Sequence, residues 1–235
     1  MHIVRGHVLR ADLDWRGAGV EYRRALELAP NDAEATFYVG RHLATFGEVG
    51  RAIEFARQAL ATEPLRAGWY DWLSTYFSGL NRLDEAERAV RRAIELQPNA
   101  AGYHLDLAIV EVQRGDAQAA LVAAQQEPPG YWRDSALALA LQMGGDRAAA
   151  DAAFRTLIQK DANVYAYGIA QVYALRNDPT ATFEWLDRAF GNRDVGVAYL
   201  LFDPFILRYK DDARFAAFCR KVGLPTLAEV AAHKT

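Results

Sequence analysis

The chain has 235 residues, 51% of them apolar, and its Lys, Arg, Asp and Glu leave a net charge of −3. This composition excludes a disordered chain, and the near-balanced charge excludes the basic field that drives non-specific nucleic-acid binding. A single cysteine, Cys219, excludes an internal disulfide framework and a cysteine-based zinc site, and it fits a reducing compartment such as the cytosol. No apolar run nears the roughly 18 residues of a membrane span, and MHIVRGHVLR places arginine and histidine where a signal peptide needs an apolar stretch.

The first helix is predicted to begin almost at Met1, and Leu13 in DLDW stands where a turn glycine is expected. The phrases ALELAP, ALATEP and AIELQP then close successive segments at Pro30, Pro64 and Pro98, 34 residues apart. A proline ends a helix because it cannot donate the next backbone hydrogen bond and restricts the residue before it. Between the prolines, AEATFYVGRHLATF, AGWYDWLSTYFSGL and DEAERAVRRAIEL carry apolar residues at steps of three and four, the period of an amphipathic helix. Gly47, Asn81 and Gly115 share one column, at the place where a left-handed residue stops the first helix of a pair. Small residues fill further columns: Ala18, Ala52, Ala86 and Ala120; Ala25, Ala59 and Ala93; Gly6, Gly40, Ser74 and Ala108. Each 34-residue row therefore holds two helices that approach closely at small side chains.

After the fourth row the pattern loosens. Pro128 and Pro129 shorten its second helix, and the steps from Gly115 to Gly145 and from Gly145 to Asn177 are 30 and 32 residues. Phe154 and Tyr173 still hold aromatic positions in these two degenerate rows. The organisation is thus read as regular units over 1–127, degenerate units over 128–194 and a capping segment over 195–235. In that last segment Leu200, Leu201, Phe202, Phe205, Phe215 and Phe218 are expected to close the final hairpin, whose apolar face would otherwise meet water.

No catalytic set assembles from the remaining residues. His2, His7, His42, His104 and His233 form no metal-binding pair, and His2 and His7 are expected to be exposed. GDRAAADAAF and GEVGRAIEF carry isolated glycines without a phosphate-loop lysine, and Ser74, Ser78 and Ser135 lack a nucleophile elbow. Cys219, beside Phe215 and Phe218, reads as a buried thiol. Asp12, Asp14, Asp211 and Asp212 fall at helix starts, where capping accounts for them. Trp185, Tyr76 and Phe77 read as packing between helices, and Arg88, Arg91 and Arg92 as solvent-facing charges paired with Glu85, Glu87 and Glu95. The expectation is no enzyme, no cofactor and no metal.

A 34-residue helix-turn-helix unit with these small, aromatic, alanine and proline positions resembles the tetratricopeptide repeat. The signature is carried by Gly6, Ala18, Tyr22, Ala25 and Pro30, by Gly40, Ala52, Ala59 and Pro64, and by Leu73, Ala86, Ala93 and Pro98. The resemblance implies an all-α, right-handed superhelical solenoid of about six hairpins with a C-terminal helical cap. It further implies a concave groove lined by the first helices, at Phe37, Arg41, Asp71, Trp72, Thr75, Leu105, Ile109, Ser135, Leu139, Tyr167 and Gln171. These are mostly apolar, which suits a protein or peptide partner or another domain of the same polypeptide. They do not match the carboxylate-clamping type, since only Arg41 among them suits a carboxylate. The alternative is a structural spacer or homodimerisation module with no separate ligand.

The similarity also extends to C-terminal repeat regions of multidomain bacterial signalling proteins. The stretches carrying it are DWRGAGVEYRRALELAPND, VYALRNDPTATFEWLDRAFGNRD and FDPFILRYKDDARFAAFCRKVGLP, with Asp203, Pro204, Asp212, Arg214 and Phe215 forming the tail motif. In such proteins the array follows an adenylate or guanylate cyclase domain, a winged-helix DNA-binding domain or a Ser/Thr kinase. The implied role is cytoplasmic and regulatory, as a piece of a longer chain.

Overall fold

A computed structural model describes residues 1–232. His233 and the end of the capping segment lie outside the described residues. Among these there are fourteen α-helices and no strand, and the first twelve helices form six hairpins. The pairs are α1 (His2–Ala11) with α2 (Trp15–Leu28), α3 (Ala33–Thr45) with α4 (Val49–Thr62), and α5 (Ala67–Gly79) with α6 (Leu83–Leu96). They continue as α7 (Tyr103–Arg114) with α8 (Ala117–Gln126), α9 (Tyr131–Ala140) with α10 (Arg147–Asp161), and α11 (Ala166–Leu175) with α12 (Pro179–Gly191). Two 3-10 turns, Val195–Tyr199 and Ile206–Tyr209, lead to α13 (Ala213–Lys221) and α14 (Leu227–Ala232). No helix among the described residues is long and apolar enough to cross a membrane.

Local sequence explains many of the helix ends. Pro30, Pro64 and Pro98 each fall two residues beyond the helix they close. Gly47, Asn81 and Gly115 hold the left-handed turn position at φ 84°, 57° and 82°, and Leu13 and Asn177 hold it in their own hairpins at 61° and 59°. The fifth hairpin departs from this rule: α9 runs into a 3-10 turn at Leu141–Met143, and Gly144 continues extended, so Gly145 is no left-handed stop. At the other ends, Asp14, Asp32, Asp116, Asp146 and Asp178 each accept the backbone N–H three residues on, at 2.7–2.9 Å. These carboxylates satisfy helix donors that have no partner within the helix. Asp212 likewise accepts the Arg214 N–H at the start of α13. Asp12 differs from the capping expectation, because its carboxylate pairs instead with Arg193 at 2.8 Å, across 181 residues.

The small columns sit at helix crossings: Ala52, Ala86, Ala93 and Ala120 are fully buried and Ala59 nearly so, while Ala25 stays half-exposed at the outer end of the array. Their lack of bulk lets the backbones approach, and larger side chains from neighbouring helices fill the space between. Cys219 is fully buried, and burial pushes its thiol up to about 12. His2 and His7 are half-buried instead of exposed. His2 meets the Glu21 carboxylate at 2.6 Å, and the His7 ring packs edge-on to Tyr38 at 4.4 Å, because the first hairpin lays α1 on α2 and α3.

The segment after α12 turns back over the inner faces of earlier hairpins. Phe202 joins the core of the second and third hairpins, and a Cβ at Gly79 would lie 2.3 Å from the Phe202 carbonyl oxygen, so only glycine admits this approach. Leu201 and Val230 lie against Gly47. The end of α13 reaches the first hairpin, where the Trp15 indole donates to the Val222 carbonyl at 2.9 Å. Helix α13 also packs on α12, so this segment both covers the last hairpin and joins it to the first.

Candidate functional site

The inner helices and the returning segment enclose a cavity of about 290 Å³. Its walls come from α5, α7, α9 and α11 on one side and from residues 194–204 on the other. Of the eleven inner-face residues expected from the repeat, Asp71, Trp72, Thr75, Leu105, Ile109, Tyr167 and Gln171 line it. Phe37, Arg41, Ser135 and Leu139 do not.

Those four have other surroundings. Phe37 is buried and stacks on Trp69 with ring centroids 5.0 Å apart. Ser135 and Leu139 are fully buried. Arg41 lays its guanidinium 4.0 Å from the Trp72 ring centre and lies near the buried Arg10, whose pKa falls to about 10 through burial first and the Arg41 charge second. An open apolar track across these helices is therefore not what the residues form. Tyr199 stacks on Trp72 at 5.4 Å and Phe202 meets Tyr76 edge-on at 5.8 Å, so the chain's own tail covers the stripe.

Polar geometry within the cavity is specific. Asp71 on α5 and Asp106 on α7 hydrogen-bond one another, and the Thr75 hydroxyl donates to Asp106 Oδ2 at 3.0 Å. Burial raises both carboxyls, Asp71 well above the ordinary range and Asp106 to about 6, and the neighbouring carboxyl adds to the rise at Asp71. Two carboxylates this close cannot both ionise cheaply, so the pair holds a shared proton.

The remaining acids of the region are committed to the backbone. Glu127 accepts the N–H groups of Gly102 and Leu105 at 2.7 and 2.9 Å, fixing the start of α7. Asp194 accepts those of Tyr167 and Gly196, both at 2.9 Å. Asp203 Oδ1 accepts from Phe205 and Ile206 at 2.9 Å, while its Oδ2 accepts from Gln171 Nε2 at 2.6 Å. Among the described residues no group of three or more His, Cys, Asp or Glu side chains is placed to hold a metal ion.

Sequence reasoning missed Asp106, Tyr131, Trp132, Tyr165, Tyr199 and Asp203 as cavity residues. Asp106 stands one position off the Asp71 column, and a strict 34-residue spacing does not register diagonal neighbours across adjacent helices. The signal available for the tail residues was the run YLLFDPF, too apolar for a solvent-facing loop.

Six stacked helical hairpins with a shared inner face define an α-helical repeat solenoid. The chain belongs to the tetratricopeptide repeat family, which matches residues 3–71 and 73–130. No curated protein sequence matches it. Among solved structures it is similar to a thermophilic tetratricopeptide repeat protein from Thermus thermophilus, with TM-score 0.63, 21% identity and coverage of 80% of this chain and 97% of that one. It is also similar to PilW, a widely conserved type IV pilus biogenesis factor, with TM-score 0.59 and 16% identity over 88% of this chain and 96% of that one. Pseudomonas aeruginosa pilF gives TM-score 0.57 and 16% identity over 94% of this chain and 96% of that one. These likenesses speak to the fold.

Proposed function

We propose that this chain is a non-catalytic protein-interaction or regulatory module that takes a peptide or partner domain on its inner face. Trp72 is the principal anchor, and Tyr199 of the chain's own tail is the group that a partner replaces. The observation that carries the reading is the convergence of Trp72, Leu105, Ile109, Tyr167 and Gln171, from three inner helices, on one cavity where Tyr199 of the chain's own tail stacks on Trp72. A half-buried tryptophan amid apolar walls loses much on truncation, whereas an exposed charge on an outer helix, such as Arg88, contributes little. Membership of a repeat family built for protein contacts supports the same role. In this reading the regular units span 1–127, the degenerate units 128–194 and the cap 195–235. The module works in the bacterial cytoplasm, within or beside a signalling protein whose cyclase, kinase or DNA-binding output it regulates.

The test compares the parent chain with Trp72→Ala in quantitative pull-downs from the source cell. A genuine partner should bind the variant at least about tenfold more weakly, about 1.4 kcal/mol, with circular dichroism unchanged, and its affinity should respond weakly to salt. Equal binding by both chains would move the site off the inner face. A second reading, a structural spacer or dimerisation module, is favoured by the coverage of the inner face by residues 195–204. Light scattering on the purified chain distinguishes it, since a dimer without retained partners supports the spacer.

A further inference from the structure

The polar groups of the cavity wall are spent on the protein itself. Asp71 and Asp106 hydrogen-bond one another, and the Thr75 hydroxyl donates to Asp106. Asp194 and Asp203 accept backbone N–H groups, and the Gln113 amide donates to the Ser78 hydroxyl. The unpartnered oxygens of Ser74, Tyr167 and Gln171 are shielded and present almost no surface to the space. A charged ligand would therefore give up its hydration here for little in return, which is costly.

What the space does meet is largely carbon. Leu105 and Ile109 of α7 line it, together with a cluster of rings in which Tyr131, Trp132 and Tyr165 pack on one another at centroid distances of 4.4–5.3 Å. The entrance is apolar as well: of all the lining residues, the exposed ones are Ala101, Tyr131, Val164 and Val195. They stand at or just before the starts of α7, α9 and α11 and in the turn after α12, so four separate segments bring apolar side chains to one opening. Exposed apolar residues scattered singly are ordinary, whereas a set that converges on a cavity marks a binding site. An apolar cavity of about 150 Å³ takes up benzene, and the space here, about 290 Å³, is large enough for a fused pair of rings.

We propose that this cavity is a binding site for an uncharged aromatic group of one or two fused rings, which enters between Tyr131, Val164 and Val195 and rests against Leu105, Ile109 and Trp132. Such a group is carried by a free small molecule or by an aromatic side chain of a peptide, and the recognising chemistry is the same for both. The site shares its cavity with the partner reading above but does not rest on it: a small aromatic probe needs no partner protein, and the Trp72→Ala pull-down needs no probe.

Calorimetric titration of the whole chain at neutral pH with quinoline, which is uncharged there, tests the site directly. N-methylquinolinium and quinoline-2-carboxylate supply the same bicycle with a positive and a negative charge, and quinoline should bind at least about tenfold tighter than either. Ile109→Trp should fill the space and abolish quinoline binding. Val164→Asp, at a position 66% exposed and so tolerant of change, puts a charge at the entrance and should weaken it. The comparison of the three probes on the parent chain needs no variant, so a poorly folded Ile109→Trp does not blunt the test. N-acetyl-tryptophan methylamide supplies the second arm: binding comparable to quinoline assigns the group to a peptide side chain, and binding of quinoline alone assigns it to a free small molecule. No saturation by millimolar quinoline, a charged counterpart that binds as tightly, or either variant folding like the parent and binding quinoline with unchanged affinity would each overturn the proposal.

Discussion

The indole N–H of Trp15 in α2 donates to the carbonyl of Val222, 207 residues further along the chain, at 2.9 Å. Both residues are buried, at 3% exposure each. Replacing Trp15 with Phe leaves a ring in place but orphans that carbonyl, at a cost of about 1–3 kcal/mol. Urea unfolding should show a lower midpoint at an unchanged slope. An unchanged midpoint would mean that the first hairpin and the tail are not joined in solution.

Removing residues 195–235 should do more than expose one end. Trp72 would lose Tyr199, Tyr76 would lose Phe202, and the first hairpin would lose its hydrogen bond to Val222. The truncated chain should aggregate or melt in two steps, read by light scattering and by thermal circular dichroism. A monomer with the parent's single transition would show that the tail is dispensable.

The small columns give a sharper local test. Ala52 and Ala86 are fully buried, so Ala52→Leu and Ala86→Leu should each overpack a helix crossing and cost about 1–3 kcal/mol. Arg88 is exposed, and Arg88→Ala should change stability by less than about 0.5 kcal/mol. Chemical denaturation of the three variants side by side checks the repeat register.

Two buried groups act in opposite directions on stability between about pH 4 and 6. Burial raises Asp106 to about 6, so from the ordinary carboxylate value upward the folded state keeps a proton that the unfolded state has released, and stability falls as pH rises. Burial lowers His42 to about 4, so over nearly the same window the unfolded state holds the extra proton and stability rises with pH. Relative to the parent, Asp106→Asn should therefore gain stability as pH increases through this window, and His42→Asn should lose it. Denaturation at several pH values across the window gives both slopes, and parallel curves for all three proteins would contradict the assignment.

What was legible in the sequence follows the range of the interactions. Proline stops, the turn column at Gly47, Asn81 and Gly115, and the alanine crossings are local or repeat every 34 residues, so they leave a periodic trace. The resemblance to the repeat family that this trace supports implied one inner face for Asp71, Trp72 and Thr75, and all three line the cavity. Contacts such as Trp72 with Tyr199 or Asp12 with Arg193 join parts of the chain that share no period, and nothing in the column alignment marks them. The inner face was thus readable as a surface, while its covering was not.

The closure of the array by its own tail changes how the molecule bears load. A stack whose units touch only their neighbours behaves as a soft spring, stretching and peeling one hairpin at a time. Here the Trp15 to Val222 and Asp12 to Arg193 contacts tie the first hairpin to the far end of the chain, so tension applied at the two termini is delivered first to that clasp. The hairpins between are bypassed until it gives way. The protein should therefore resist extension as a stiff, closed ring, then yield abruptly into an elastic coil.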